Sequence, residues 1–116
     1  MWLTLFLSVL LVLTGARSIA NASDNKHPQW VYELIEKLGS SPVANPPAKV
    51  IQSIYNNSTV YLLPPRCCDI QSVLYSEEGE IICNPSGGLS GRGDGRCTDF
   101  IFKKDSTIIW EDLRTN

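Results

Sequence analysis

The sequence predicts an α+β domain, with one N-terminal helix packed on a small antiparallel β-sheet and stapled by two disulfides. Three observations carry that prediction. Trp30, Val31, Leu34, Ile35 and Leu38 recur at helical spacing and form one apolar stripe. Downstream, short β-branched and aromatic runs alternate with turn residues, the pattern of hairpins. Cys67, Cys68, Cys83 and Cys97 all lie in the second half of a chain of 116 residues. An even number of cysteines in an exported chain reads as two disulfides.

Export is predicted from the first element. Residues 3–13 form an apolar run of eleven. A membrane-spanning helix needs about twenty apolar residues, so this run suits the central region of a signal peptide. Thr14, Gly15 and Ala16 break it, and small-x-small sites at Ser18-Ile19-Ala20 and Ala20-Asn21-Ala22 put cleavage after Ala20 or Ala22. The expected organisation is a signal peptide over 1–20 and a single small secreted domain over 21–116. Met1-Trp2 departs from the pattern in having no Lys or Arg, and no lipid-acceptor Cys follows the apolar run. Loss of the leader removes Arg17, leaving nine basic and twelve acidic side chains and a net charge of −3 in place of −2. That balance excludes electrostatic partnership with nucleic acid, and no second run reaches membrane-spanning length.

The helix comes next. Pro28 suits its first turn, Glu33 and Glu36 lie off the apolar stripe, Lys37 favours the C-terminal end, and Gly39 followed by Pro42 ends it. Residues 42–47 are an extended connector. The runs 50–55 and 59–63 flank Asn56-Asn57, and Asn tolerates the left-handed backbone that a tight hairpin turn needs. Pro64-Pro65 stops the second run. Val73-Leu74-Tyr75 and Ile81-Ile82-Cys83 flank Ser76-Glu77-Glu78-Gly79-Glu80, a second hairpin. Residues 84–95 form a loop with five glycines, 107–110 a last strand, and an acidic-polar tail fades after it.

Adjacent Cys67 and Cys68 would close a strained ring if bonded to each other. The expected pairings are therefore Cys67–Cys83 with Cys68–Cys97, or Cys67–Cys97 with Cys68–Cys83. Spacings of 0, 14 and 13 intervening residues do not match a zinc site, and the single His27 lies far upstream.

Several stretches together carry a resemblance: Asn45-Pro46-Pro47-Ala48, Val60-Tyr61, Pro64-Pro65-Arg66-Cys67-Cys68-Asp69, Leu74-Tyr75, Gly79, Ile82-Cys83-Asn84-Pro85-Ser86-Gly87-Gly88, and Gly91-Arg92-Gly93-Asp94-Gly95-Arg96-Cys97-Thr98-Asp99-Phe100. The pattern resembles a small exported two-disulfide domain family of unknown function, met mostly in bacterial secreted proteins and lipoproteins. It spans residues 30–110. The resemblance implies a compact domain with two disulfides and supplies no activity.

Few residues offer chemistry. Arg92-Gly93-Asp94 matches the cell-attachment signal read by integrins, in which a guanidinium reaches an acidic pocket and a carboxylate meets a receptor-bound metal. The competing reading is a structural turn in which Asp94 binds its own backbone. Similar basic-Gly-Asp-Gly loops in the resembling bacterial sequences favour that reading. Asp69, Asp94 and Asp99 lie near cysteines and form a candidate Ca²⁺ site, without the spacing of a calcium loop. Asn56-Asn57-Ser58 and Asn57-Ser58-Thr59 are overlapping glycosylation sequons at Asn56 and Asn57, and Asn21-Ala22-Ser23 is a third beside the cleavage point. Catalysis lacks a His beside a nucleophile. A domain of about 96 residues is also expected to be too small for a cleft of about 300 Å³.

The expected function is that of a secreted, non-enzymatic extracellular protein, structural or matrix-associated, that works by binding and uses no cofactor. Its partner would be an extracellular protein or the matrix, with no nucleic acid and no membrane after leader removal. One alternative is an adhesive ligand of integrin acting through Arg92 and Asp94. The other is a small proteinase inhibitor with Arg66 or Arg96, each beside a cystine, as bait.

Overall fold

The computed structural model describes residues 26–67, 69–100 and 105–115. The leader over 1–20 with its cleavage sites, the sequon at Asn21, and Cys68 lie outside the described residues.

Helix α1 spans Gln29–Ser40, with Pro28 as its N-cap rather than inside the first turn. It runs through Gly39, where an end was expected. In the last turn two serine hydroxyls donate to carbonyls four residues back. Ser40 Oγ reaches Glu36 O at 2.6 Å and Ser41 Oγ reaches Lys37 O at 2.8 Å. Ser41 itself turns out into extended backbone, and its N–H donates to Leu38 O at 3.3 Å.

Five strands follow: β1 (Lys49–Tyr55), β2 (Ser58–Leu63), β3 (Val73–Ser76), β4 (Ile81–Cys83) and β5 (Thr107–Glu111). They form one antiparallel sheet in the order β4-β3-β2-β1-β5. The β1–β2 turn places Asn56 at φ 53° and Asn57 at φ 64°, with Tyr55 opposite Ser58. Two left-handed central residues make the turn whose twist matches that of the flanking strands, so the turn chemistry expected of two asparagines is what forms.

The alternation of side chains sorts the sheet into two faces, each covered by a different layer. Val50, Tyr61 and Tyr75 face α1 and pack with Trp30, Val31, Leu34, Ile35 and Leu38. Ile51, Val60, Leu62, Leu74 and Cys83 face the other way, against Cys97 and Phe100 of the segment after β4. Two bulges depart from strict alternation. Lys49–Val50 pair with Trp110–Glu111, whereas Ile51 pairs with Ile108, which leaves Ile109 as the extra residue of β5. Consecutive Ile109 and Trp110 thereby both reach the helix-side cluster. In the same way Leu74 pairs with Cys83 and Tyr75 with Ile81, and the extra residue, Ile82, packs beside Cys83.

Cys83 bonds Cys97, with Cα atoms 6.2 Å apart. This overturns both expected pairings, since each joined Cys83 and Cys97 to the Cys67-Cys68 pair. The loop after β4 folds back across the sheet and returns Cys97 to the end of the strand that carries Cys83. Cys67 is exposed in a separate turn, where Ile70 N–H meets Arg66 O at 3.4 Å, and it too is disulfide-bonded.

The C-terminal tail does not fade. Arg114 donates to Leu38 O at 3.2 Å and Ser41 O at 2.8 Å, and its Nη2 lies 2.8 Å from Asp112 Oδ2. Asp112 N–H in turn donates to Ala48 O at 2.9 Å. The tail therefore caps α1 and ties its C-terminal end to the sheet. The Asp112 side chain is 3% exposed, and the Arg114 guanidinium holds its carboxyl below the usual carboxylate range.

Candidate functional site

The most elaborated part of the molecule is the loop over residues 84–96, closed by Cys83–Cys97. It is fastened at its base to Ser72, which is fully buried. Ser72 N–H donates to Ser86 O at 2.9 Å, Ser86 N–H donates to Ser72 Oγ at 2.9 Å, and Asn84 Nδ2 donates to Ser72 O at 2.7 Å. The loop then closes on itself, with Gly93 N–H donating to Gly87 O at 3.1 Å and Asp94 N–H to Asn84 O at 2.8 Å. At Gly93, φ is +67°, and a Cβ would stand 2.6 Å from Pro85 C and Ser86 N and closer still to Asn84 O. Only glycine lets the two backbone segments touch here.

This architecture occupies the Arg92-Gly93-Asp94 tripeptide from within. Asp94 accepts from Asn84 N–H, Arg96 N–H and Arg96 Nε, each at 3.0 Å, and its side chain is 23% exposed. The Arg96 N–H, with the Arg96 side chain and Asn84 N–H behind it, lowers the Asp94 carboxyl below its ordinary pKa. Arg92 is exposed, and its N–H donates to Ser90 Oγ. The carboxylate that an adhesive ligand would present is thus the loop's internal cap.

The candidate Ca²⁺ site is not assembled. Among the described residues, no three His, Cys, Asp or Glu side chains stand close enough to hold a metal. Asp94 is turned to its own loop, Asp99 accepts the Tyr55 hydroxyl at 2.8 Å, and Asp69 is exposed in the Cys67 turn. The partnership with Asp99 raises the Tyr55 pKa. Of the two bait candidates, Arg96 is paired with Asp94, and Arg66 Nε is buried with no hydrogen-bond partner among the described residues. Neither is offered free on a protruding loop. Asn56 and Asn57 are exposed at the hairpin tip.

Between the loop and the sheet lies the feature that residue-type reasoning missed. A cleft of about 320 Å³ is walled by Ile51 and Leu62 of the sheet, Pro64 and Pro65 after β2, Pro85 at the loop base, and Phe100. Lys49 and Ser86 complete its lining. The expectation that so small a domain holds no cleft of this size is corrected. Three of the lining residues, Pro64, Pro65 and Pro85, have a ring-fixed φ that stiffens the backbone around the opening. Its size falls at the lower end of ligand-binding cavities, and among the described residues its lining is apolar with one cation, as such sites tend to be. The sequence signal was the proline placement, Pro64-Pro65 and Pro85, which reads locally as strand stops.

Two other features are structural. A hollow of about 440 Å³ beside Gly39 and Trp110 is built around the satisfied Asp112–Arg114 pair. On the helix side, Trp30 meets Tyr61 edge-to-face and Tyr75 at a tilt, with ring centroids 5.5 and 5.1 Å away, and donates from Nε1 to Glu77 O at 2.8 Å. His27 Nδ1 shares a hydrogen bond with the buried Tyr61 hydroxyl at 3.1 Å. Burial first, and the Glu77 charge second, raise the Tyr61 pKa. The lone histidine is therefore spoken for by a phenol rather than poised beside a nucleophile.

Comparison with known proteins adds one match. The family model described as a domain of unknown function, DUF6970, covers residues 36–112. Neither the curated proteins nor the solved structures contain a match to this chain.

Proposed function

The chain belongs to the DUF6970 family, and from that premise we propose that it is a secreted, non-enzymatic extracellular domain, structural or matrix-associated, that acts by binding through the cleft beneath its glycine loop. The observation that carries this reading is the cleft itself, about 320 Å³ of proline-walled apolar space bordered by Lys49. Secretion is supported by the apolar leader pattern and by the Cys83–Cys97 bond, which suits an oxidising compartment.

Binding at the cleft is tested with phenylnaphthylamine, a neutral apolar fluorophore, titrated into the mature protein. Saturable fluorescence enhancement is expected, weakened in Phe100→Ala, which removes a wall. Absence of saturable binding to the wild type, by this probe and by its anionic sulfonate analogue alike, sinks the reading. Export is tested by N-terminal sequencing of protein recovered from the medium, with a new N-terminus expected after Ala20 or Ala22.

The adhesive alternative draws less support, because cell attachment through Asp94 would have to release three hydrogen bonds that hold the loop. Equal cell attachment by the wild type and Asp94→Glu would remove that alternative.

A further inference from the structure

The lining of the cleft also bears on the kind of ligand it takes, an inference that rests on reading the cleft as the binding site. Among the described residues, six of its walls are apolar and two are polar. Ser86 commits its N–H and its hydroxyl to Ser72 Oγ, at 2.9 and 3.2 Å. Lys49 is different. It is half-buried and borders the cleft, and among the described residues no carboxylate lies within ion-pair distance of its ammonium. Glu111 is its cross-strand partner in register, yet the two form no ion pair.

An ammonium drawn partly out of water beside an apolar hollow gains from a counter-charge delivered at that edge. A cationic ligand would be repelled, and a neutral one would cover part of the lysine without compensation. We propose that the cleft binds small amphipathic organic anions, with the apolar body between Leu62, Pro85 and Phe100 and the acid group on Lys49. Apolar burial supplies most of the affinity, and the lysine supplies the preference for a negative charge.

Two fluorophores that share one apolar skeleton separate these contributions: anilinonaphthalene sulfonate, which is anionic, and phenylnaphthylamine, which is neutral. The wild type is expected to bind the anion on the order of threefold more tightly, as suits a partly exposed ion pair. Lys49→Met should abolish that preference while leaving the neutral probe bound, and Lys49→Arg should keep it. Near-ultraviolet circular dichroism of the tryptophans checks that each variant is folded, and amide shifts at Ser86 and Phe100 locate the probe. Equal affinity for the two probes in the wild type, or a preference that survives Lys49→Met, overturns the anion proposal alone. Failure of both probes to bind overturns the cleft reading beneath it.

Discussion

Gly93 and Asp94 show how much of the loop depends on two adjacent residues. Gly93 brings its Cα against the backbone of Asn84, Pro85 and Ser86 in a left-handed conformation. Gly93→Ala therefore adds a backbone collision to an unfavourable φ, and a loss of at least about 1–2 kcal/mol is expected, read as a lower urea midpoint at unchanged slope. Asp94 depends on ionisation. Its folded pKa lies below the unfolded value near 3.9, first because Arg96 N–H donates to it. Its contribution to stability is therefore fully present above about pH 4 and disappears as pH falls through the lower folded pKa. Asp94→Asn should lower stability at neutral pH and flatten its decline in acid, measured by thermal melts from neutral pH downward. The sequence offered Arg92, Gly93 and Asp94 both as a displayed motif and, on the resemblance, as a structural turn in which Asp94 binds its own backbone. A carboxylate two residues before an arginine in a glycine-rich loop is equally a local cap, and nothing in residue identity separates the two until Asn84 N–H is known to point at it.

At the scale of elements, short-range chemistry was legible and long-range chemistry was not. Asn56 and Asn57 announced a tight hairpin because few other residues accept two consecutive positive φ values, and the strands on either side followed from their β-branched content. Asn57→Gly should be tolerated, whereas Asn57→Val should cost about 1–2 kcal/mol by forcing a β-branched residue left-handed. The disulfide partners depended on where residues 84–96 return, which is a property of the loop and not of cysteine spacing. Replacing Cys83 and Cys97 together by serine opens a loop with a sequence separation of 14. About 3 kcal/mol is expected from the chain-entropy relation, checked by chemical denaturation of the double variant against wild type. Arg114 was invisible for a similar reason. Its three partners are Asp112 beside it and two carbonyls at the far end of the described chain, Leu38 and Ser41, which a scan for local spacing never joins.

The whole molecule is a sheet lined on both faces, by the helix on one and by the disulfide-closed loop on the other. The helical stripe predicted the first layer. The second was foreseen as a loop held on the sheet by its cysteines but not as a core, because glycine, serine and asparagine give no apolar period to read, even though Cys97 and Phe100 within that segment pack into one. Leu74 is fully buried at the centre of that second core. Leu74→Ala should cost about 2–5 kcal/mol in equilibrium unfolding, the range for deleting a buried leucine side chain.

The position of β5 has a consequence for motion. The strands from β1 to β4 are neighbours in sequence as well as in space, whereas β5 crosses from beyond the glycine loop to the outer side of β1, and among the described residues one of its edges has no strand beside it. Non-local pairing of this kind forms at a higher entropic cost than a hairpin, and a one-sided margin is where a sheet opens most easily. When β5 lifts away, Ile109 and Trp110 leave the helix stripe, and the Arg114 cap on α1 leaves with them. Fraying at this one seam thus loosens the helix layer while the cystine-held layer on the opposite face keeps its shape.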